Sequence, residues 1–389
     1  MRVIVVGSGI VGASIAYHLA AEGAEVLTVD GADQGQATAA GAGVVFPWLL
    51  RGTPPSMTAL GLGAAEHYPR LVEALVAAGV DDTGYVPVGG ITVAEDGPML
   101  DEMHDALLRL REQPQMVGLG EVERLAPGEP AGAFPVLRDD LAGLYVSGVV
   151  RVDGRRMRDA LAQAAAAHGA ERRSGGASLT VAGSGVTGVA VDGETIGADA
   201  VVVAGGAWSR ALCEPIGVAL PVFPQRGQIL HLDLPGHDTG SWPIIRTLYE
   251  HYLLAFPGGR VVAGATRESG VGFDHRVTAR GLHKVLTDAL AIAPGLDDGT
   301  VAEVRVGFRP LSPDGAPLLG GIDGLDGLVV ATGLGPIGLT LGPYLGALAA
   351  DLALGRDAPL DLTPYRPDRP VPHHSDRPDH TVSDASQSS

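Results

Sequence analysis

The amino-acid sequence predicts an α/β fold, and three observations carry that reading. The chain opens on a β-branched run, Val3-Ile4-Val5-Val6, that passes through Gly7-Ser8-Gly9-Ile10-Val11-Gly12 into an amphipathic stretch. A second apolar run, Ala200-Val201-Val202-Val203-Ala204, ends in Gly205-Gly206. A third, Leu328-Val329-Val330-Ala331-Thr332, meets Gly333 and Gly335 before a leucine-rich helical pattern. Strand, glycine turn and helix in that order form the unit of a parallel sheet covered on both faces.

The elements follow in order. Val11, Ile15 and Leu19 recur at four-residue spacing on one helix face, Gly23 closes that helix, and Glu25–Asp30 reads as a second strand ending in an acid. From Ser56 to Leu125 the signals are helical and mixed, with Leu71, Leu75, Leu107 and Leu110 at helical spacing. A helix is expected over Arg155–His168, then strands near Ala177–Val181 and Val186–Val191. From Val218 to Thr266 alternation predicts an antiparallel sheet, notably Gln228–Leu232 and Arg260–Ala265, with a helix near Leu282–Ala293 after it. Leu341, Leu345, Leu348 and Leu352 share a face of the last helix. From Tyr365 onward Pro, Asp, His and Ser leave little to bury, so a disordered tail is expected over 365–389. His373 and His374 fall in it and read as solvated, not as a metal tract.

Composition narrows the function classes. With 27 Lys+Arg against 45 Asp+Glu the formal charge is −18, which repels nucleic-acid phosphates and argues against that partner. At 46% hydrophobic the chain can bury a sizeable core. The single cysteine, Cys213, rules out an internal disulfide framework and a cysteine-rich zinc site, so no metal is expected and the cytoplasm is the default compartment. The N-terminal apolar run is interrupted by Gly7, Gly9 and Gly12 and leads into an amphipathic pattern, unlike a signal peptide. The uncharged stretch Gly327–Ala350 has a membrane span's length, but Gly333, Gly335, Pro336, Gly338, Gly342 and Pro343 break it. No transmembrane segment is expected.

The motif Gly7-x-Gly9-x-x-Gly12 carries the first chemistry. Its glycines permit a tight turn, close approach of a pyrophosphate and close helix–strand packing, and the helix N-terminus offers N–H groups to phosphate. Asp30, ending the next strand, lies near the spacing at which a carboxylate accepts from a ribose. The pattern indicates a Rossmann-like dinucleotide site without choosing between FAD and NAD.

Further stretches make that choice by resemblance. Ala37-Thr38-x-x-Gly41-Ala42-Gly43, Ala204-Gly205-Gly206-Ala207-Trp208-Ser209, Arg226-Gly227-Gln228, Gly264-Ala265-Thr266-x-Glu268, Gly272-Phe273-Asp274, Gly307-Phe308-Arg309-Pro310-x-Ser312-Pro313-Asp314-Gly315 and Gly333-Leu334-Gly335-x-x-Gly338 occur in a characteristic order. Over residues 1 to 365 the sequence resembles the FAD-dependent D-amino-acid oxidase superfamily, in particular its glycine oxidase and bacterial D-amino-acid dehydrogenase branch. It departs from the family pattern at Leu334, where His is frequent, at Gly41, where Asn is common, and at Ala255 and Phe256, where Pro and Arg are expected.

The resemblance implies a Rossmann-like FAD-binding domain interleaved with a smaller α+β substrate domain on a mixed antiparallel sheet. The FAD-binding parts are expected at 1–85, 141–217 and 299–364, and the substrate-domain parts at 86–140 and 218–298. It implies cofactor contacts at Gly7, Ser8, Gly9, Ile10, Val11, Gly12, Asp30, Ala37, Thr38, Ala42, Gly43, Ala177, Ala204, Gly205, Trp208, Arg309, Gly333, Gly335, Ile337, Gly338 and Leu339. The FAD is expected to be non-covalent, because Gly307 and Ala40 stand where relatives carry an attachment residue.

Arg309 is the principal substrate candidate, since a guanidinium fork fits a carboxylate through two charge-assisted bonds; the alternative is a structural ion pair, for instance with Asp314. Tyr249 and Tyr252 are candidates to supply a hydroxyl to the same carboxylate or to pack in strands. Arg51 lines an entrance or sits on an exposed loop. The implied reaction oxidises the C–N bond of a small amino acid or secondary amine (D-amino acid, glycine or N-methyl amino acid). Hydride transfer to flavin N5 gives an imine that hydrolyses to an oxo acid. Oxidation of a 2-hydroxy acid, an NAD(P)-binding dehydrogenase and a non-catalytic flavoprotein are the alternatives. A homo-oligomer stays open.

Overall fold

The computed structural model describes residues 1–48, 55–95, 97–113, 116–248 and 251–371. Tyr249, Arg51, His373 and His374 lie outside the described residues.

Two large sheets organise the chain. The first runs, in spatial order, through Ala177–Ala182, Gly185–Val191, Leu325–Thr332, Ala200–Val203, Arg2–Val6, Glu25–Asp30 and Glu171–Ser174, with Glu194–Gly197 and Leu318–Ile322 as side strands. Its centre is parallel: Val3 to Val6 pair in register with Ala200 to Val203 on one side and Val26 to Val29 on the other. The near-continuous β-branched runs suit strands buried on both faces. Ile4 and Val201 face one core while Val3, Val5 and Val202 face another.

Helix Ile10–Ala21 leaves the first strand and is covered by the last long helix, Gly338–Ala353. Small residues set that approach: a Cβ on Gly346 would lie 2.5 Å from Ser14 Cβ, and Ser14 Oγ donates to the Pro343 carbonyl at 2.7 Å. The run Gly327–Ala350 is therefore strand, loop and packed helix. Among the described residues no helix is long and apolar enough to cross a membrane.

The second sheet has the order Thr300–Leu311, Phe223–Asp233, Arg260–Gly264, Tyr252–Phe256, Ile244–Thr247, Gly90–Ala94, Ala142–Val146, Val122–Leu125. All its pairs are antiparallel except Ile244–Thr247 with Gly90–Ala94. Alternation sorts its residues: Leu253, Ala255 and Ala263 pack in one core with the helix Ala279–Ile292, whereas Tyr252, Leu254 and Val262 belong to the other side.

Four details of the architecture go beyond the sequence reading. Strand Ala142–Val146 pairs with Gly90–Ala94, so the second sheet extends past the boundary expected at 140. Strand Thr300–Leu311 pairs along its length with Phe223–Asp233, so the segment after 299 also starts in the second sheet. The mixed region 56–125 resolves into helices Pro55–Ala77 and Gly97–Arg111 plus three short strands that its helical spacing had hidden. The tail does not begin at Tyr365: that ring is fully buried, its hydroxyl donates to the Ser56 carbonyl, and Arg369 forks onto Asp314 at 2.9 Å. An aromatic ring and a bidentate ion pair anchor the chain as far as Arg369.

Candidate active site

A cavity of about 560 Å³ lies where the parallel strands of the first sheet end and the second sheet's face begins. Ligands of open parallel sheets bind at such carboxyl ends. Its lining draws on segments near residues 6–11, 29–46, 175–177, 204–212, 227–229, 251–252, 265–267, 307–310 and 334–340, with Arg246 beside them.

The glycine turn is built for close approach. Gly7 sits at φ +108°, and a Cβ there would lie 2.4 Å from the Ala204 carbonyl oxygen. A Cβ on Gly12 would lie 1.9 Å from the Gly7 oxygen, so the turn and the helix can meet only without side chains. Asp30 fixes the turn from below. One of its oxygens accepts from the Ser8 N–H and hydroxyl, the other from the Ala32 N–H and the Gln36 amide. Burial alone would raise its pKa, but these bonds together hold the carboxyl below its ordinary value. Thr38 accepts from the Ile10 N–H at 2.9 Å, placing its hydroxyl at the start of the first helix.

Most of the expected contacts converge on this cavity: Gly7 to Val11, Asp30, Ala37, Thr38, Ala42, Gly43, Ala177, Ala204, Gly205, Trp208, Gly335 and Ile337 to Leu339 all line it. Two do not. Gly12 is spent on helix–turn packing, and Gly333, at φ +81°, packs against Leu318. Gly307 and Ala40 meet each other there, a Cβ on Gly307 falling 2.6 Å from Ala40 Cβ. Cys213 is buried elsewhere, and burial pushes its thiol up to about 12. Of the departures, Leu334 lines the cavity; Ala255 is packed on the sheet's far side, and Arg151 lies over the Phe256 ring at 4.9 Å to the centroid.

The second sheet supplies the opposite wall. Arg309 lies across Gly227, whose added Cβ would meet the guanidinium at 2.6 Å, and Nη1 donates to the Thr266 carbonyl at 3.0 Å. Asp314 is occupied by Arg369, so the alternative pairing of Arg309 with Asp314 is not made. Tyr252 lines the same cavity beside Arg309, close enough to feel its charge. Burial raises the Tyr252 pKa, against the opposing charges of Arg309 and Arg267, so the phenol stays protonated at neutral pH. Arg246, stacked 4.8 Å over the Phe46 ring, and Arg267 line the same cavity. Sequence reading missed both, because strand alternation does not say which face looks into a cavity.

A family model described as FAD dependent oxidoreductase (DAO) matches residues 2–352. The chain belongs to this family. Like other DAO-family members it is an FAD-dependent oxidoreductase. It is 44% identical to the uncharacterized oxidoreductase YurR of Bacillus subtilis, covering 94% of this chain and 98% of that one. It is 33% identical to a glycine oxidase of Pseudomonas aeruginosa, with the same coverage of each chain. Among solved structures it resembles iminodiacetate oxidase (IdaA) from Chelativorans sp. BNC1 at a TM-score of 0.90 and 43% identity, covering 94% and 99% of the two chains. Glycine oxidase from Geobacillus kaustophilus follows at a TM-score of 0.82 and 28% identity, covering 95% and 100%.

The residues present fit that cofactor. The side-chain-free turn at Gly7 and Gly12 and the N-terminus of the first helix suit a pyrophosphate, and the cavity continues from there to the second sheet.

Proposed function

We propose that this DAO-family protein oxidises the C–N bond of a small amino acid or secondary amine that carries a carboxylate. One observation carries the reading: Arg309 and Tyr252 stand together on the wall of the cavity that the glycine turn also lines. Arg309 presents a fixed donor fork for the carboxylate, and the protonated Tyr252 hydroxyl adds a third donor. Gly7 to Val11, Thr38 and Asp30 hold the dinucleotide, with Gly335 to Leu339 along the cavity's other edge. The absence of attachment atoms at Gly307 and Ala40 supports non-covalent binding.

FAD, when bound, supplies the two-electron acceptor for the hydride that leaves the substrate's α-carbon. The chain's own part is orientation. Anchoring the carboxylate fixes the α-carbon, and Ile229, Phe46 and Leu334 keep the reacting bond among apolar neighbours. The substrate amine reacts as the free base; its lone pair forms the C=N bond as hydride departs, and water then releases an oxo acid and an amine or ammonia.

A second reading concerns substrate size. Arg246 and Arg267 on the same lining favour a substrate with two carboxylates, an imino diacid, one anchored at Arg309 and one at the further guanidiniums. The similarity to a protein named iminodiacetate oxidase supports it.

Anaerobic titration of the purified yellow protein tests both readings. The panel holds D- and L-amino acids, N-methyl amino acids, imino diacids and 2-hydroxy acids. Bleaching by amines with release of ammonia or amine is expected, and strongest bleaching by an imino diacid supports the second reading. Bleaching by hydroxy acids alone overturns the C–N assignment.

A further inference from the structure

The Arg309 guanidinium does not stand by itself; it rests on a peptide carbonyl that a buried polar lattice holds in place. Its Nη1 donates to the Thr266 oxygen at 3.0 Å. The Thr266 side chain is buried, and its hydroxyl works twice: it accepts from the Gln228 N–H at 2.9 Å and donates to Glu268 Oε1 at 2.8 Å. Glu268 Oε1 also accepts from the Gln228 amide at 2.7 Å, and Oε2 accepts from Arg226 Nη2 at 2.6 Å. Arg226 turns its other nitrogen to Asp274, and Gln228 is clamped from behind by the N–H and hydroxyl of Thr278. The strand Phe223–Asp233 and the segment 266–268 are thus tied together behind Arg309 by one hydroxyl and one carboxylate, neither of which lines the cavity itself.

We infer that Thr266 and Glu268 are positioning residues for the substrate carboxylate: Glu268 fixes the Thr266 hydroxyl, and with it the peptide whose carbonyl aims Arg309. The same peptide carries Arg267 into the cavity lining, so one anchor sets two guanidiniums. The physical reason lies in the side chain. Arginine has several rotatable bonds, and leaving it to swing would cost affinity each time it is ordered for a ligand. A carbonyl held by this lattice of bonds removes that cost before substrate arrives. Charge-assisted bonds to Glu268 make the lock stiffer than neutral ones would.

The inference rests on Arg309 as the carboxylate anchor, and the experiment separates the two. Holoenzymes of wild type, Thr266→Val, Thr266→Ser, Glu268→Gln and Arg309→Leu are titrated with acetate, read by the absorbance of bound flavin and by calorimetry. Steady-state kinetics follow with the best substrate of the bleaching panel. Thr266→Val is expected to raise the acetate Kd and the substrate KM about fivefold or more while changing kcat less than threefold. Thr266→Ser, which keeps the hydroxyl, is expected to return both to within twofold of wild type. Glu268→Gln keeps the size but loses an acceptor, moves the same way, and decides the matter if Thr266→Val does not fold. A lowered Tm with unchanged acetate Kd in Thr266→Val and Glu268→Gln, while Arg309→Leu weakens acetate, overturns the positioning role alone. An unchanged Kd in Arg309→Leu overturns the anchor itself.

Discussion

Asp30 accepts both the backbone N–H and the hydroxyl of Ser8, at 2.7 and 2.8 Å. The acid that ends the second strand therefore shapes the glycine turn from within, whatever it offers a ribose. Asp30→Ala is expected to reduce FAD retention on gel filtration at least tenfold without changing substrate preference. Acid should act similarly. The folded pKa lies below the ordinary carboxylate value of about 4, so the stabilisation is complete above that value and is lost as pH falls through the folded one. Loss of yellow colour from wild type on acidification, absent from Asp30→Asn, checks this.

Gly12 admits no side chain, because a Cβ would sit 1.9 Å from the Gly7 oxygen. Gly12→Ala is expected to cost about 1–3 kcal/mol of stability and to yield mostly apoprotein. Thermal melts with and without added FAD, alongside flavin content, check both parts.

Gly227 lies under the Arg309 guanidinium. Gly227→Ala should push the fork aside and raise KM for carboxylate substrates while FAD binding persists. Arg309→Leu should go further: two lost charge-assisted bonds at roughly 1.5–3 kcal/mol each give at least about a hundredfold loss of kcat/KM. Flavin content and kinetics on the same samples separate anchoring from cofactor loss.

Tyr252→Phe removes one donor and no packing surface. A fall in kcat/KM of about three- to tenfold is expected, with colour and melting temperature near wild type.

Arg226 joins Glu268 and Asp274 beneath the wall, with its own side chain 5% exposed. Arg226→Met leaves both carboxylates without it and is expected to cost about 3 kcal/mol by denaturant titration.

The parallel half of the molecule was legible because its code is local. Val3–Val6, the glycine turn and Asp30 lie within a few tens of residues, and Gly7 and Gly12 each answer to a backbone contact that forbids a Cβ. The other wall was legible only in part. Arg309 came from a family-like word, whereas Arg267 fills the unspecified place between Thr266 and Glu268, and Arg246 lies in a short interior strand with no motif. What brings these to one cavity is strand pairing between segments far apart, which a single sequence leaves undetermined. The pairing of strands Ala142–Val146 and Thr300–Leu311 with partners distant in the chain was hidden for the same reason. Tyr365 was obscured by its proline- and aspartate-rich neighbours.

The helix that begins at the glycine turn is roofed by Gly338–Ala353, near the end of the chain. The nucleotide loop's first helix therefore buries its apolar face only once Gly338–Ala353 has docked on it, so flavin capture and docking of that late helix should stand or fall together. Truncations that remove that helix should accordingly yield colourless protein, as flavin content and thermal melts would read.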